Sequence, residues 1–423
     1  MRICIFEDQS HPNFYPLALT RPVFELRCGQ TSLAEKIIRA HPGAKVCYFV
    51  RDWIAPTFLH RATVPVNDLK TLERDDLILI INGRWLYLDE PVAAEGPEEI
   101  GRCGGATAYI RAKAATIARL QPSSFDELLP ALEKTLPSRE IKATLLGYIW
   151  DTIAHNAEAI TADFEAAGKR GVKGKLHAMS CVYGDQHRVY VADSAEIQPM
   201  VVIDTTHGPV TIDEDVVVNP HTRIEGPAYI GPKTWLVGGK IREGTSIGPM
   251  CRVGGEVEEA IIHGYSNKYH DGFLGHAYVG EWVNLGALTT NSDLKNDYGD
   301  VEVYLGGKLT NTGQTKVGSF IGDHTKTSIG TLLNTGTIIG MMCLILGGGG
   351  ILPKYLPSFC WFYDNKVSKG GGLEAGIATA RTAMSRRKVA LTEEDITLYH
   401  YLRDLTKDER NEIVRKYRKS REE

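Results

Sequence analysis

Aliphatic residues recur at every sixth position in the middle of this 423-residue chain, and no other feature narrows its fold as far. Ile212, Val218, Ile224, Ile230 and Leu236 keep that spacing, and after a one-residue slip Ile241, Ile247 and Val253 resume it. A helix repeats about every 3.6 residues and a strand about every 2, so neither sustains a period of six. A coil whose flat sides each take six residues brings all these aliphatics into one core. Glycine often follows the aliphatic, as in Ile230-Gly231, Ile247-Gly248, Val279-Gly280, Leu285-Gly286 and Ile329-Gly330, and glycine suits a corner that needs unusual backbone angles. Residues 195–350 therefore read as a parallel β-helix of triangular cross-section, each rung buried only by stacking on its neighbours.

A chain this long exceeds one ordinary core. Arg2-Ile3-Cys4-Ile5-Phe6 reads as a strand, residues 31–40 as a helix capped by Ser32, and residues 45–50 and 77–81 as further strands. That order implies a small α/β layer with a parallel sheet, whose ligands lie beyond the carboxyl ends of the strands. Residues 105–120 and 124–136 add a sheet edge and a helix, and residues 148–164 read as a linker helix. The Gly/Lys-rich run 168–175 marks the boundary. Residues 373–387 and 393–416 read as two charged helices that cap the open end of the coil. The expected domains are thus 1–165, 180–352 and 353–423.

A net charge of −4, with no long basic run before the tail, argues against nucleic acid as partner. The opening residues lack a signal-peptide pattern and no run of apolar residues is long enough to span a bilayer, so a cytoplasmic protein without a membrane partner is expected. The eight cysteines are scattered without C-x-x-C spacing, which argues against a zinc ribbon or a disulfide framework.

Pro16-Leu17, Thr20-Arg21-Pro22 and Gly29 ahead of the first helix, with the apolar strand ending at Asn82-Gly83, resemble the N-terminal segment and metal-site strand of sugar-1-phosphate nucleotidylyltransferases. Three positions depart from that pattern. The glycine-rich phosphate loop is replaced by residues 7–13, Val23 replaces a lysine, and Arg84 replaces an aspartate that would offer Mg²⁺ a hard oxygen. Ser266-Asn267-Lys268-Tyr269-His270, Leu274-Gly275, Val283-Asn284-Leu285-Gly286-Ala287 and residues 317–326 closely resemble the acetyltransferase domain of bifunctional UDP-N-acetylglucosamine pyrophosphorylase/glucosamine-1-phosphate N-acetyltransferases. Together the two matches resemble a variant bacterial branch of that family. The resemblance implies a reduced nucleotidyltransferase-like α/β domain, a left-handed parallel β-helix, a helical C-terminal tail, and a homotrimer with its acetyl site between neighbouring coils.

It also implies chemistry. An amino-sugar 1-phosphate, glucosamine 1-phosphate, would be N-acetylated from acetyl-CoA and then coupled to a nucleoside triphosphate, giving a nucleotide sugar such as UDP-N-acetylglucosamine, with Mg²⁺ a candidate for the second step. His270, in a break of the period over residues 256–272, occupies the catalytic position; histidine suits a base because it titrates near working pH. Asn284 falls where an asparagine meets the sugar or acetyl group, and the Ala287 N–H where an amide faces the thioester oxygen. Phe273 replaces a tyrosine and Asp293 an asparagine, an added carboxylate able to pair with an ammonium. Lys268, Lys295 and Lys326 are candidates for sugar-phosphate or CoA-phosphate contact. In the N-terminal domain Thr20, Arg21, Asn82 and Arg84 are the nucleotide and phosphate candidates, the arginines as forks for phosphate oxygens. Other readings stay open. A nucleotidylyltransferase alone, such as a thymidylyltransferase, could use the coil only to trimerise. A γ-class carbonic anhydrase-like metal site could draw on His263, His276 and His324. A scaffold could have lost its sites.

Overall fold

The computed structural model describes residues 1–88 and 90–419. They form two compact units, the first made of Met1–Phe14, Thr20–Leu26 and Thr31–Tyr148, the second of Tyr15–Leu19, Arg27–Gln30 and the chain from Ile149 onward.

The first unit is built on a six-stranded sheet. Its strands are β1 (Arg2–Phe6), β2 (Lys45–Phe49), β3 (Leu77–Asn82), β4 (Glu99–Cys103), β5 (Ala106–Lys113) and β6 (Ser138–Glu140), in the spatial order β2-β1-β3-β5-β4-β6. β1 runs parallel to β2 and β3, as the strand–helix–strand order implies, while β5 is antiparallel to both β3 and β4. Helix α1 (Leu33–Arg39) starts at the expected Ser32, which forms a reciprocal capping box with Glu35. Helix α2 (Phe125–Thr135) lays Leu128 and Leu132 on Cys4, Phe6, Ile78, Ile80 and Ile110.

The second unit is a parallel solenoid whose core lies in three columns. One runs Val191, Ile212, Ile230, Ile247, Ile262, Val279, Ile321, Ile339, Leu356, each paired in register with the next and each almost fully buried. A second runs Ile203, Ile224, Ile241, Val257, Leu274. The third runs Ile197, Val218, Leu236, Val253 and then Lys268. The six-residue period is the chain stepping from one column to the next.

Four features of the coil differ from the sequence expectation. The coil starts earlier, with Gly171–Val172 paired to Tyr190 and Val191. Residues 256–272 do not break the ladder: Val253 pairs with Lys268 and Glu256 with Phe273. The larger excursion follows Asn291, where the chain leaves the coil and folds an antiparallel hairpin, Glu302–Leu305 with Lys308–Asn311, before Phe320 and Ile321 re-enter the ladder beside Tyr278 and Val279. The glycines serve close approach more than corner geometry: a Cβ on Gly248 would lie 1.9 Å from the His263 carbonyl oxygen of the next rung, and one on Gly231 2.9 Å from that of Ile247. The left-handed corners are instead held by side-chain-bearing residues, among them Lys233 (φ 60°), Met250 (φ 60°), Tyr265 (φ 53°), Trp282 (φ 60°) and Met342 (φ 51°). Stacking of rung upon rung over-determines these angles.

The expected linker helix is two helices, Ile149–Ala154 and α3 (Asn156–Ala167), bent at His155. Beyond the coil come α4 (Leu373–Ser385), α5 (Glu393–Leu405) and α6 (Lys407–Lys419), so the last expected helix is divided at Thr406. Ile413 and Val414 of α6 join the solenoid core, which closes its exposed end as a capping element should. Among the described residues no helix is long and apolar enough to cross a membrane.

Candidate active site

His270 stands at the outer surface of the coil, exposed, with its ring edge-on to Tyr269 at 5.1 Å between centroids. Its backbone is anchored from inside. Lys268 occupies a position in the aliphatic column, 3% exposed, and its Nζ donates to the carbonyl oxygens of His270 at 3.1 Å and Gly254 at 2.9 Å. Burial pulls this ammonium down to about 8, only partly offset by the Asp271 and Glu256 charges. The expectation that Lys268 contacts a phosphate is therefore corrected: its charged end is spent beneath the 269–271 turn.

Ala287 faces the same space. With His270, Asp271, Tyr269, Gly255 and Leu288 it lines a cavity of about 430 Å³. Its carbonyl accepts the Gly330 N–H at 2.7 Å, while its own N–H meets no acceptor among the described residues. An imidazole and an open amide thus share one concavity, the arrangement acyl transfer needs at its proton and at its developing oxyanion. Asn284 is exposed on the neighbouring side, where it and Lys326 line a larger cavity of about 810 Å³ that Tyr269 also borders. The Lys326 ammonium donates to the Trp282 carbonyl and, at 3.2 Å, to that of His324; burial lowers it to about 8.

The other coil candidates lie apart from this pair. Phe273 folds its ring over Gly275, where a Cβ would meet Phe273 Cζ at 2.3 Å. Asp293 does not await an ammonium: its Oδ2 takes His276 Nδ1 at 2.8 Å, while His276 Nε2 lies 3.0 Å from Glu259 Oε2. Burial alone would depress His276, but the two carboxylates outweigh it and raise it to about 9. Lys295 pairs with Asp297 at 3.2 Å on the hairpin excursion. The three histidines weighed as zinc ligands are engaged within the chain, His263 with the Tyr278 hydroxyl, His324 with that of Tyr399, and His276 with its carboxylates.

In the first unit Thr20, Arg21, Asn82 and Arg84 are all buried. Asn82 and Arg84 converge on Asp8: Asn82 Nδ2 donates to Asp8 Oδ2 at 2.8 Å and Arg84 Nε at 2.7 Å, while Arg84 also donates to the Leu146 carbonyl at 2.9 Å. Glu7 pairs with Arg51 at 3.0 Å, and Arg51 reaches the Arg21 carbonyl at 3.0 Å. The segment standing where a glycine-rich loop would be is thus cross-linked by its own side chains. Arg84 is no open phosphate fork. Residues 3–170 match the family model described as sugar nucleotidyl transferase. The N-terminal part is thus similar to sugar nucleotidyl transferases.

Two curated relatives of the chain carry that name further. A bifunctional sugar-1-phosphate nucleotidylyltransferase/acetyltransferase of Sulfurisphaera tokodaii is 34% identical over 153 residues, 33% of this chain and 36% of that protein. A bifunctional protein GlmU of Burkholderia vietnamiensis is 29% identical over 196 residues, 40% of this chain and 43% of that protein. The matches span less than half the length of these relatives. Among solved structures, an Arabidopsis UDP-N-acetylglucosamine acyltransferase aligns with 52% of this chain and 77% of its own at 11% identity and a TM-score of 0.19, too slight to bear on function.

Within the N-terminal unit the residues do not fit Mg²⁺ at Asn82-Gly83-Arg84. Burial pushes Asp8 up, but the Arg84 guanidinium outweighs it and holds the carboxylate below its ordinary range. A dication there would have to share Asp8 with a fixed positive charge. Sequence reasoning missed Trp235, Arg252, Tyr265 and Trp282 around Asn284. The signal was available for two of them, since Trp235 and Arg252, like Asn284, each precede an inward aliphatic and so share its outward column.

Proposed function

We propose that this protein N-acetylates an amino-sugar 1-phosphate with acetyl-CoA at the coil cavity, and that its sugar nucleotidyl transferase domain acts on the same class of sugar 1-phosphate with a nucleoside triphosphate. His270 takes a proton from the acceptor ammonium. The freed amine nitrogen attacks the thioester carbon, and charge gathers on the carbonyl oxygen, which the Ala287 N–H stabilises. The C–N bond forms and the C–S bond then breaks: the proton held by His270 passes to the departing thiolate, and the nitrogen's second proton leaves through the freed imidazole to solvent, giving a neutral amide and thiol. Lys268 holds the His270 backbone in place and touches no substrate. The single observation that supports this most is the shared cavity of an exposed imidazole and an unengaged amide on one coil. Trimerisation through the coil is part of the same reading.

The test is product identity. Glucosamine 1-phosphate and acetyl-CoA incubated with the purified protein are expected to yield the N-acetylated sugar phosphate by mass spectrometry, with one thiol released per acetyl group. A protein that releases pyrophosphate from UTP or dTTP and a sugar phosphate, yet never forms the acetylated product, would leave nucleotidyl transfer alone, the reading that rests on the family match of residues 3–170.

A further inference from the structure

The cavity beside Asn284 has a composition that acyl transfer at His270 does not use. One wall is the outward column of the coil, where Trp235, Arg252, Asn267, Asn284 and Lys326 pair in succession. The other is the C-terminal half of α4 with Thr379 and Thr382, and the turn after it with Arg386 and Arg387. None of the lining residues is acidic. Arg252, Arg386 and Arg387 form no ion pair among the described residues. Arg387 gives one hydrogen bond to Asn267 Oδ1 at 3.1 Å, and its buried Nε has no acceptor. Arg252 donates only to the carbonyls of Lys233 and Cys251 and lies 4.3 Å over the Trp235 ring. Burial, and then the Arg387 charge, lowers Arg252, as expected of two cations facing one space without a counter-ion. The cavity also holds stacked rings: Tyr265 and Trp282, on successive left-handed corners, lie 4.4 Å apart at 22°.

Uncompensated guanidiniums select phosphate oxygens, and flat aromatic faces select a ring. A volume of about 810 Å³ falls within the roughly 300–1,000 Å³ of small-ligand sites. We propose that this cavity, walled by α4 and the coil, binds a nucleoside phosphate, with its phosphates against Arg252, Arg386 and Arg387 and its base against the Trp235, Tyr265 and Trp282 surfaces. Two sources carry that chemistry, the 3′-phosphoadenosine diphosphate end of CoA and the nucleoside diphosphate of a nucleotide sugar. The assignment rests on the cavity's charge and rings and stands independently of His270.

Calorimetric titration of the full chain with CoA and, separately, with UDP tests it without turnover. At least one probe is expected to bind the parent and to quench tryptophan fluorescence. The Arg386→Gln/Arg387→Gln double variant, and separately Arg252→Gln, are expected to raise Kd about tenfold or more, since charge-assisted contacts are lost. Arg381→Gln, exposed on the same helix and outside the cavity, leaves Kd at the parent value. Weakening for CoA alone identifies the thioester carrier as occupant, and weakening for UDP alone identifies the nucleotide. If neither probe binds the parent, or if both arginine variants bind as the parent does, the proposal fails.

Discussion

Lys268 sits in a column of aliphatics and yet its ammonium reaches two carbonyls, one of them belonging to His270. Its role is to position the turn, so Lys268→Met is expected to lower kcat for thiol release by about tenfold through lost orientation, with KM for acetyl-CoA unchanged. Stability should move by less than about 1 kcal/mol, because relief of a buried charge offsets two unpaired carbonyls. Urea denaturation and steady-state kinetics on the same preparation check both halves. His276 offers a pH test. Its folded value is raised to about 9 from an ordinary 6.5, so its stabilising share is fully present below 6.5 and is lost as pH rises to about 9. His276→Gln should therefore cost stability at pH 6, by about 2 kcal/mol given that Glu259 is partly solvent-screened, and little at pH 9.5. An equal loss at both pH values would contradict the carboxylate clamp. Position 270 could be singled out in the sequence because its motif is local. The place of Lys268 was not: it is set by pairing with Val253 on another rung, while its sequence neighbours face outward.

At the scale of elements, the six-residue period was enough to foresee the coil, because each step of six moves one face round the prism. Ile212, Val218 and Ile224 stand in three different columns. The same pattern misled at Ile329-Gly330, where the isoleucine is 74% exposed. Ile230→Ala, in the long column, is expected to destabilise the coil by about 2–5 kcal/mol, whereas Ile329→Ala should change stability by less than about 0.5 kcal/mol. Chemical denaturation of the two variants side by side separates them. The hairpin excursion at 302–311 and the division of the tail helix at Thr406 lay beyond the period, since the first pairs only with itself and the second continues an uninterrupted helical pattern.

At the scale of the whole molecule, the proposed chemistries fall in different compact units, the phosphate and nucleotide candidates at Thr20, Arg21, Asn82 and Arg84 in one and His270 with Ala287 in the other. A substitution at His270 is therefore expected to leave the pyrophosphate release proposed for the N-terminal unit at the parent rate. The N-terminal unit cross-links Glu7 and Asp8 through the Asp8–Arg84 and Glu7–Arg51 pairs, a feature hidden from sequence because partners as far as 76 positions apart converge only in the fold. The decisive measurement is the single-turnover rate of thiol release from acetyl-CoA with glucosamine 1-phosphate, parent against His270→Ala. The expected result is a fall of about 10²–10⁴-fold, the usual contribution of a general base; equal rates would contradict acyl transfer at this histidine.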